Sequence, residues 1–291
     1  TEDGQITDSV HFSSEQTLNN KTLEWYSADV TYELGRFITP YGIGLDLGPE
    51  GFTWVYDVTD YQALLTDSVE LSAGNQQELL DLKFVMVEGK AGRKTKRIQQ
   101  IWHNGFKSYK YRDLDNDNAC PPLKTKLLGD ASSFKLTTKL TGHGHHSNDG
   151  NYPHCCEWKD NTHYMYLNDK KISEWHIWRE NCDMNPVYPQ GGTWNGAREG
   201  WCPGDVVPEH HIEITPGMAK PGDSIELDYR ITPVPSNNQG MGNGSYVTAF
   251  TLFEYEEAPF GLDAEIYEII SPSDKDIYRR LNPVCYDRSE E

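Results

Sequence analysis

The residues best suited to chemistry lie in three short, glycine-rich runs. Residues 142–146 read Gly-His-Gly-His-His, residues 154–158 read His-Cys-Cys-Glu-Trp, and residues 198–204 read Arg-Glu-Gly-Trp-Cys-Pro-Gly. Tryptophan beside glutamate on such loops is poor core material, but it suits a rigid surface cleft that combines flat apolar faces with one carboxylate. The three runs therefore predict a site for a sugar.

Charge and hydropathy narrow the class of partner. The chain has 291 residues and a formal net charge of −19. This balance argues against nucleic acid as a partner, because phosphate binding requires a positive surface. The chain has no apolar run of about 18 residues, which predicts that it does not span a membrane. Because it begins at Thr1 without methionine or an apolar leader, we expect either a removed signal peptide or a start inside a longer protein.

Cysteine usage points to the compartment. The six cysteines are at positions 120, 155, 156, 182, 202 and 285, and none forms a Cys-x-x-Cys pair with another. This spacing disfavours zinc and thioredoxin-like sites. It favours an oxidising compartment and up to three disulfides, which predicts a secreted, periplasmic or cell-surface protein.

The elements that position these loops are predicted to be β-strands. Apolar residues alternate at period two, as in a strand with one buried face, in the runs 53–58, 83–87, 133–140, 162–167, 224–231 and 246–253. The helical signal is limited to one turn at residues 60–65, with Asp60 as N-cap, and a segment at residues 270–280. The pattern predicts an all-β protein built from antiparallel sandwiches.

One stretch is a good candidate for a domain boundary. Residues 88–97 are rich in glycine and basic residues, and they interrupt two strand-like regions. We therefore predict a first β-sandwich over residues 1–90 and a second over residues 91–291. Cys285 indicates that the C-terminal tail is stapled to the second sandwich.

Three groups of segments together resemble a known family. They are Tyr-Glu-Leu-Gly-Arg-Phe-Ile-Thr-Pro-Tyr at 32–41 with Tyr-Asp-Val-Thr-Asp at 56–60, Thr-Gly-His-Gly-His and Cys-Cys-Glu-Trp within 141–158, and Asn-Pro at 185–186 with Arg-x-Gly-Trp-Cys-Pro-Gly at 198–204. In this order they resemble the peptide:N-glycosidase F family. The resemblance implies two packed antiparallel, jelly-roll-like sandwiches with a catalytic cleft along their seam. It also implies an enzyme that removes asparagine-linked glycans from N-glycoproteins without a metal or other cofactor.

The resemblance implies roles for single residues. Glu157 matches the family's active-site glutamate, and Trp158 matches the tryptophan that follows it. The other candidates match a substrate-contacting arginine, a cleft tryptophan, a histidine and the two cysteines of a disulfide, which are Arg198, Trp201, His145, Cys182 and Cys202.

The chain also departs from the family pattern. Lys159 replaces a motif cysteine, and the family's second glutamate falls at about Gln76. The family's catalytic aspartate lies in a Cys-Asp-Glu-Trp-Asp-Arg motif, and the nearest run among residues 1–34 is Glu-Trp-Tyr at 24–26. We expect one of two explanations: either the first strands are missing and an upstream segment or another chain completes the first sandwich, or the aspartate has been lost.

Hydrolysis of a glycosylated side-chain amide would give Glu157 a defined task. One carboxylate activates water as a base, while a second group binds sugar or relays a proton to the departing glycosylamine. Glu157 could take either role, or it could be a structural glutamate that binds backbone amides. Arg198 could bind substrate or pair with Glu157 or Glu199. Trp158 and Trp201 could offer sugar platforms or belong to the core.

The histidines suggest a different chemistry. His143, His145 and His146 could bind a transition metal, because residues i and i+2 of a strand face one side. We favour structural histidines and predict no metal site, because the remaining histidines are too scattered to complete a ligand set. Three hypotheses remain, in order of preference. They are a secreted amidase, a non-catalytic glycan- or protein-binding relative that kept the scaffold, and a metal-dependent oxidoreductase that uses this cluster.

Overall fold

A computed structural model describes residues 30–42, 45–47, 51–73, 80–89, 92–144, 156–185, 187–233 and 244–259. Apart from Val30, these residues belong to a compact unit that begins at Thr31. The predictions for residues 1–29, Gln76, His145, His146 and the tail with Cys285 lie outside the described residues.

The described residues form an almost entirely β structure, as the sequence predicted. The only α-helix among them is a short one, α1 (Tyr111–Asp115), and two 3-10 turns lie at Thr59–Tyr61 and Cys182–Met184. The strands are β1 (Thr95–Gln100), β2 (Lys107–Lys110), β3 (Leu123–Lys126), β4 (Ser133–His143), β5 (Thr162–Leu167), β6 (Lys170–His176), β7 (Trp178–Arg179), β8 (Arg198–Glu199), β9 (Glu209–Ile214), β10 (Ser224–Ile231) and β11 (Ser245–Tyr255). None of the described helices is long and apolar enough to cross a membrane.

Two antiparallel sheets form the sandwich. The first has five strands in the order β1-β11-β4-β9, with β2 also pairing with β11. Strands β4 and β11 pair from Ser245–His143 to Tyr255–Ser133, over the full length of both strands. The second sheet has four strands in the order β3-β10-β5-β6.

Alternation along the strands builds the core between the two sheets. Leu136 and Phe250 from the first sheet and Met165 and Tyr229 from the second belong to one buried cluster. The rings of Tyr229 and Phe250 lie 5.0 Å apart across the sheets. Each of these strands therefore buries one face against the other sheet, which is why the period-two pattern predicted them.

The N-terminal part of the unit covers the outer face of the first sheet. Tyr61 packs against Phe253 and Tyr255 in a second, smaller buried cluster. The Nζ atom of Lys139 on β4 lies 3.0 Å from the Tyr61 hydroxyl and 3.0 Å from a Glu209 carboxylate oxygen. A buried lysine is thus satisfied by partners on two elements.

The structure corrects two of the local predictions. The turn expected to begin at Asp60 begins at Thr59, with Val58 as N-cap and no side-chain cap. The Asp60 carboxylate instead pairs with Lys135 and accepts a hydrogen bond from the Tyr255 hydroxyl. With its carboxylate held by these two partners, Asp60 does not cap the turn.

The runs 53–58 and 83–87 are not strands in the described structure. Val85 and Val87 are 85% and 88% exposed. Alternation signals a strand only if a partner strand is available, and the described residues supply none to these runs. By contrast, runs 133–140, 162–167, 224–231 and 246–253 are confirmed as parts of β4, β5, β10 and β11. The boundary near residue 90 and the jelly-roll connections remain predictions.

Candidate active site

The short strand β8 is the element that positions the candidate site. It pairs with β7 through Trp178–Glu199 and Arg179–Arg198. Because side chains alternate along a strand, Arg198 and Glu199 point to opposite sides. Gly200 follows at φ +84°, where a Cβ atom would collide with the Leu140 carbonyl oxygen. Glycine at this position lets β8 lie directly against β4.

Glu157 lies at the end of the sandwich and is held by its backbone. Its N–H donates to the Gly144 carbonyl at 3.2 Å, and its own carbonyl accepts from the Glu199 N–H at 2.8 Å. Its side chain is 17% exposed, and one carboxylate oxygen lies 3.9 Å from Arg198 Nε. The carboxylate is therefore fixed in position yet still reachable by solvent.

Arg198 is a buried cation between two indole rings. The centre of its guanidinium lies 4.5 Å from the Trp158 ring and 4.6 Å from the Trp201 ring. Its Nη2 donates to the Thr193 carbonyl at 2.6 Å. Burial lowers the arginine pKa, and the charges of Tyr41 and Glu157 partly offset that effect. Each cation–π contact stabilises such an ion by about 0.5–2 kcal/mol.

Two nitrogens of Arg198 have no hydrogen-bond acceptor. Nε and Nη1 are buried and make no hydrogen bond within the described structure, and Nε has only the long 3.9 Å contact with the Glu157 carboxylate. An unpaired N–H of a buried cation is costly, about 1–3 kcal/mol or more for a charged group. These two donors are the kind of group that a substrate carbonyl or hydroxyl oxygen could satisfy.

Trp201 supports Arg198 from the interior side. It is 4% exposed, and its Nε1 donates to the Gly142 carbonyl at 2.7 Å. The His143 ring stacks on it at 5.4 Å and 22°. Burial lowers the His143 pKa to about 4, so the ring is neutral near pH 7. The structure thus places Trp201 beneath the guanidinium, whereas Trp158 is only partly buried.

A disulfide and an ion pair brace the loop that follows β8. Cys182 and Cys202 are bonded, at a sequence separation of 20, as the resemblance implied. Arg179 and Asp205 form a buried ion pair at 2.8 Å. Cys156 is also disulfide-bonded.

Cys120 stays a free thiol, so the limit of three disulfides is not reached. It packs within the apolar core between the sheets. Burial raises its pKa to about 12, which keeps the thiol protonated. A small apolar side chain suits this position, and no disulfide is needed there.

The N-terminal motif joins the same site. The Tyr41 N–H donates to Gln190 Oε1 at 2.8 Å, and its carbonyl accepts from Gly191 N–H at 2.9 Å. The Arg198 guanidinium lies 5.7 Å from the Tyr41 ring. Motifs far apart in sequence, at 32–41, 157–158 and 198–204, therefore converge on one arginine.

Glu199 is a buried acid that the sequence analysis did not select. One of its carboxyl oxygens accepts from the Tyr246 hydroxyl at 2.9 Å and lies 3.2 Å from His163 Nε2. His163 Nδ1 lies 2.7 Å from the Tyr229 hydroxyl. Burial raises the Glu199 pKa to about 9 and lowers the His163 pKa to about 3. Both residues of β8 are buried, so alternation with Arg198 predicts only that Glu199 faces the opposite side, and no sequence signal predicted its burial.

The metal hypothesis gains no support from the described residues. They contain no group of three or more potential ligands that could hold a metal ion. The His143 Nε2 atom is already 2.7 Å from the Thr141 hydroxyl. His145 and His146, the other members of that cluster, lie outside the described residues.

Comparison with known proteins identifies similar chains. The family described as "Peptide-N-glycosidase F, C terminal" matches residues 110–252. The peptide-N(4)-(N-acetyl-beta-D-glucosaminyl)asparagine amidase F of Elizabethkingia miricola is 30% identical over 251 residues, which cover 80% of this chain and 66% of that protein. The chain thus spans about two thirds of that relative.

Two solved structures share the fold. A crystal structure of a peptide-N(4)-(N-acetyl-beta-D-glucosaminyl)asparagine amidase has a TM-score of 0.56 at 22% identity and covers 79% of this chain and 75% of its own. PNGase F of Flavobacterium meningosepticum, a glycosylasparaginase, has a TM-score of 0.54 at 22% identity, with 77% and 73% covered.

Proposed function

Since the chain belongs to the peptide:N-glycosidase F family, we propose that it is an amidase that releases glycans from asparagine side chains. In the proposed reaction, water adds to the carbonyl carbon of the side-chain amide. The C–N bond then breaks, the glycosylamine leaves with a proton, and an aspartate carboxylate remains. The substrate would be an N-glycoprotein encountered outside the cytoplasm, in keeping with the disulfides.

The observation that supports this proposal best is the pairing of an accessible carboxylate with a desolvated cation. Glu157 reaches solvent, while two nitrogens of Arg198 behind it make no hydrogen bond in the described structure. We assign Arg198 to the substrate's carbonyl or a sugar hydroxyl, because these oxygens can accept hydrogen bonds from the unpaired donors. A cation held in a fixed position stabilises the negative charge that develops on a bound substrate oxygen during the reaction.

Glu157 supplies one of the two acid–base functions that amide hydrolysis requires. Its carboxylate is partly exposed and held near the Arg198 guanidinium, a placement that suits a group that binds a sugar hydroxyl or orients water. We propose that a second acidic group, from a part of the protein outside the described residues, takes the complementary role. Trp158 would then offer the exposed part of its ring to the first sugar.

A non-catalytic, glycan- or protein-binding relative is the second candidate. The absence of the family's Cys-Asp-Glu-Trp-Asp-Arg motif from residues 1–34 favours it. In that case the same carboxylate, cation and indole would bind a glycan without cleaving it.

Release of glycan from a denatured N-glycoprotein distinguishes the two candidates. The amidase is expected to convert the glycosylated asparagine to aspartate, and Glu157→Gln to reduce the rate by about 100-fold or more. Glu180→Gln, on an exposed glutamate, is the control and should keep full activity. If glycan binds but none is released, the binding relative is the better description.

A further inference from the structure

A second cleft opens at the edge of the sandwich, where the edge strands β6 and β9 face each other. The Trp175 and His210 rings stack at 4.4 Å, and Ser173 Oγ lies 3.0 Å from His210 Nε2. Between these strands lies a cavity of about 230 Å³. We call this space the edge cleft, and the residues that line it include Thr138, Trp175, Trp178, Arg179, Glu209 and His210. It includes none of Glu157, Trp158, Arg198 and Trp201, although its wall at Trp178 and Gly200 adjoins the strand β8.

Two buried polar groups of the edge cleft have no partner. Trp175 is 6% exposed and Thr138 is 1% exposed. The Trp175 Nε1 and the Thr138 Oγ1 atoms make no hydrogen bond within the described structure. Thr138 points into the space between the sheets, because it alternates with Lys139, whose side chain packs on the outer face against Tyr61. Buried polar groups are nearly always satisfied, so two orphans in one cavity indicate an occupant.

The walls of the edge cleft carry no free charge. Of its ionisable groups, Arg179 pairs with Asp205 and Glu209 pairs with Lys139. The Nδ1 atom of His176 lies 2.8 Å from Asp160 Oδ1. Burial lowers the His210 pKa to about 4, which leaves that ring neutral near pH 7. The other lining residues are a threonine, a glycine and residues with apolar or aromatic side chains. A charged ligand would find no counter-charge in the edge cleft. A neutral ligand with one flat apolar face would be able to pack on its aromatic side chains.

We propose that the edge cleft binds one neutral pyranose ring, such as a hexose or N-acetylhexosamine residue. The apolar face of the ring would pack on the Trp178 indole, and its hydroxyl or acetamido oxygens would bond to Trp175 Nε1 and Thr138 Oγ1. The volume of the cleft suits a single ring, because pockets for larger ligands occupy about 300–1,000 Å³. The proposal does not depend on the proposed amidase activity, since Glu157 and Arg198 do not line the edge cleft.

The test uses the intact protein, isotope-labelled at its eight tryptophans, whose indole N–H signals are followed by NMR. N-acetylglucosamine, mannose and galactose are titrated separately. We expect at least one of them to shift the Trp175 signal, assigned through Trp175→Phe, in a saturable manner. Glu157→Gln should leave this response unchanged, which separates it from any failure of the amidase proposal.

Matched variants assign the binding to the edge cleft. Thr138→Val keeps the side-chain shape but removes the hydroxyl, and should weaken binding about fivefold. Thr215→Val, in an exposed turn, should leave it unchanged. Trp178→Ala should weaken binding by about tenfold or more, because it removes the apolar platform. If no sugar shifts the Trp175 signal, if only Trp158 or Trp201 responds, or if glycerol gives the same shift, the proposal is wrong.

The bound sugar ring could belong either to the substrate glycan or to a separate glycan, and steady-state kinetics distinguish the two. If the ring is a branch of the substrate glycan, Thr138→Val raises KM for the N-glycoprotein and leaves kcat unchanged. If the ring belongs to a separate glycan, both constants stay unchanged while the monosaccharide titration still shows weaker binding.

Discussion

At the scale of single residues, the site depends on a cation held away from water. Removing a charged group from water costs several kcal/mol, and two indoles and one carboxylate offset that cost for Arg198. The offset is geometric, because a flat guanidinium fits between two flat rings and a rounded ammonium does not. We therefore expect that replacing Arg198 with lysine, which keeps the positive charge, will still lower stability and activity.

Arg198→Lys is expected to lower stability by about 2–4 kcal/mol and activity by about tenfold or more. The lysine keeps the charge but loses both stacking contacts and the hydrogen bond to Thr193. Arg230→Lys is the control, since Arg230 stacks on Tyr166 at an exposed position, and it should change stability by less than about 0.5 kcal/mol. Thermal unfolding and initial rates measure the two effects. Equal stability losses in both variants would contradict the stacking argument.

The buried Glu199 predicts a dependence of stability on pH. Its pKa of about 9 in the folded protein lies above its ordinary value of 4.5, so the folded state holds a proton that the unfolded state releases. Stability should therefore fall as pH rises from about 6.5 to about 9, by up to about 1.4 kcal/mol per pH unit. The depressed pKa values of the buried His163, His143 and His210 act only below their ordinary value of 6.5. These histidines make stability rise with pH in that lower range.

Glu199→Gln isolates this effect, because the amide keeps the shape of a protonated glutamic acid and does not titrate. Denaturant unfolding at pH 6.5, 7.5 and 8.5 should show a decline for the natural protein and a nearly flat line for the variant. The same slope in both proteins would show that Glu199 is ionised in the folded state.

At the scale of elements, the strand β8 is held against β4 by backbone geometry. Gly200 combines a φ of +84° with a close approach to the Leu140 carbonyl. Gly200→Ala should therefore cost about 1–3 kcal/mol more than Gly51→Ala, since Gly51 has a φ of +62° but open space around it. Urea unfolding of the two variants gives this difference. Equal costs would mean that only the φ angle matters and that β8 does not need the contact.

The strands also show which parts of the structure could be predicted from the sequence and which could not. Runs such as 133–140 and 224–231 predicted strands correctly because each buries one face against the opposite sheet. The run 83–87 has the same alternation, but a pattern cannot tell whether a neighbouring strand exists to pair with it. The motifs singled out Glu157 and Arg198 as candidates, because those residues lie in distinctive local sequence, and the structure brings the two side chains together. The sandwich of Arg198 between Trp158 and Trp201 and the network around Glu199 arise only when distant segments meet.

At the scale of the whole molecule, the segment 80–88 is exposed although it has the composition of a strand. Val85, Met86 and Val87 are 85%, 72% and 88% exposed. Contiguous apolar surface of this kind usually marks an interaction site, and unpaired strand edges are a hazard unless covered. We expect an upstream segment of the same protein or another chain to pair with it, as the first predicted sandwich requires.

Hydrogen exchange tests this expectation when it is measured on the protein in the form in which it occurs naturally. The amides of residues 81–88 should be protected when the pairing segment is present, and should exchange at the rate of an unfolded peptide when it is absent. Rapid exchange in both situations would mean that nothing covers the segment.

The most direct test of the account is hydrolysis of a denatured N-glycoprotein in water enriched in heavy oxygen. The proposed reaction predicts a released glycan and a new aspartate at the former glycosylation site that carries one heavy oxygen atom, and Glu157→Gln should yield neither product. Cleavage between two sugars, an asparagine left unchanged, or no release where peptide:N-glycosidase F itself succeeds would contradict the assignment of this chain as an amidase.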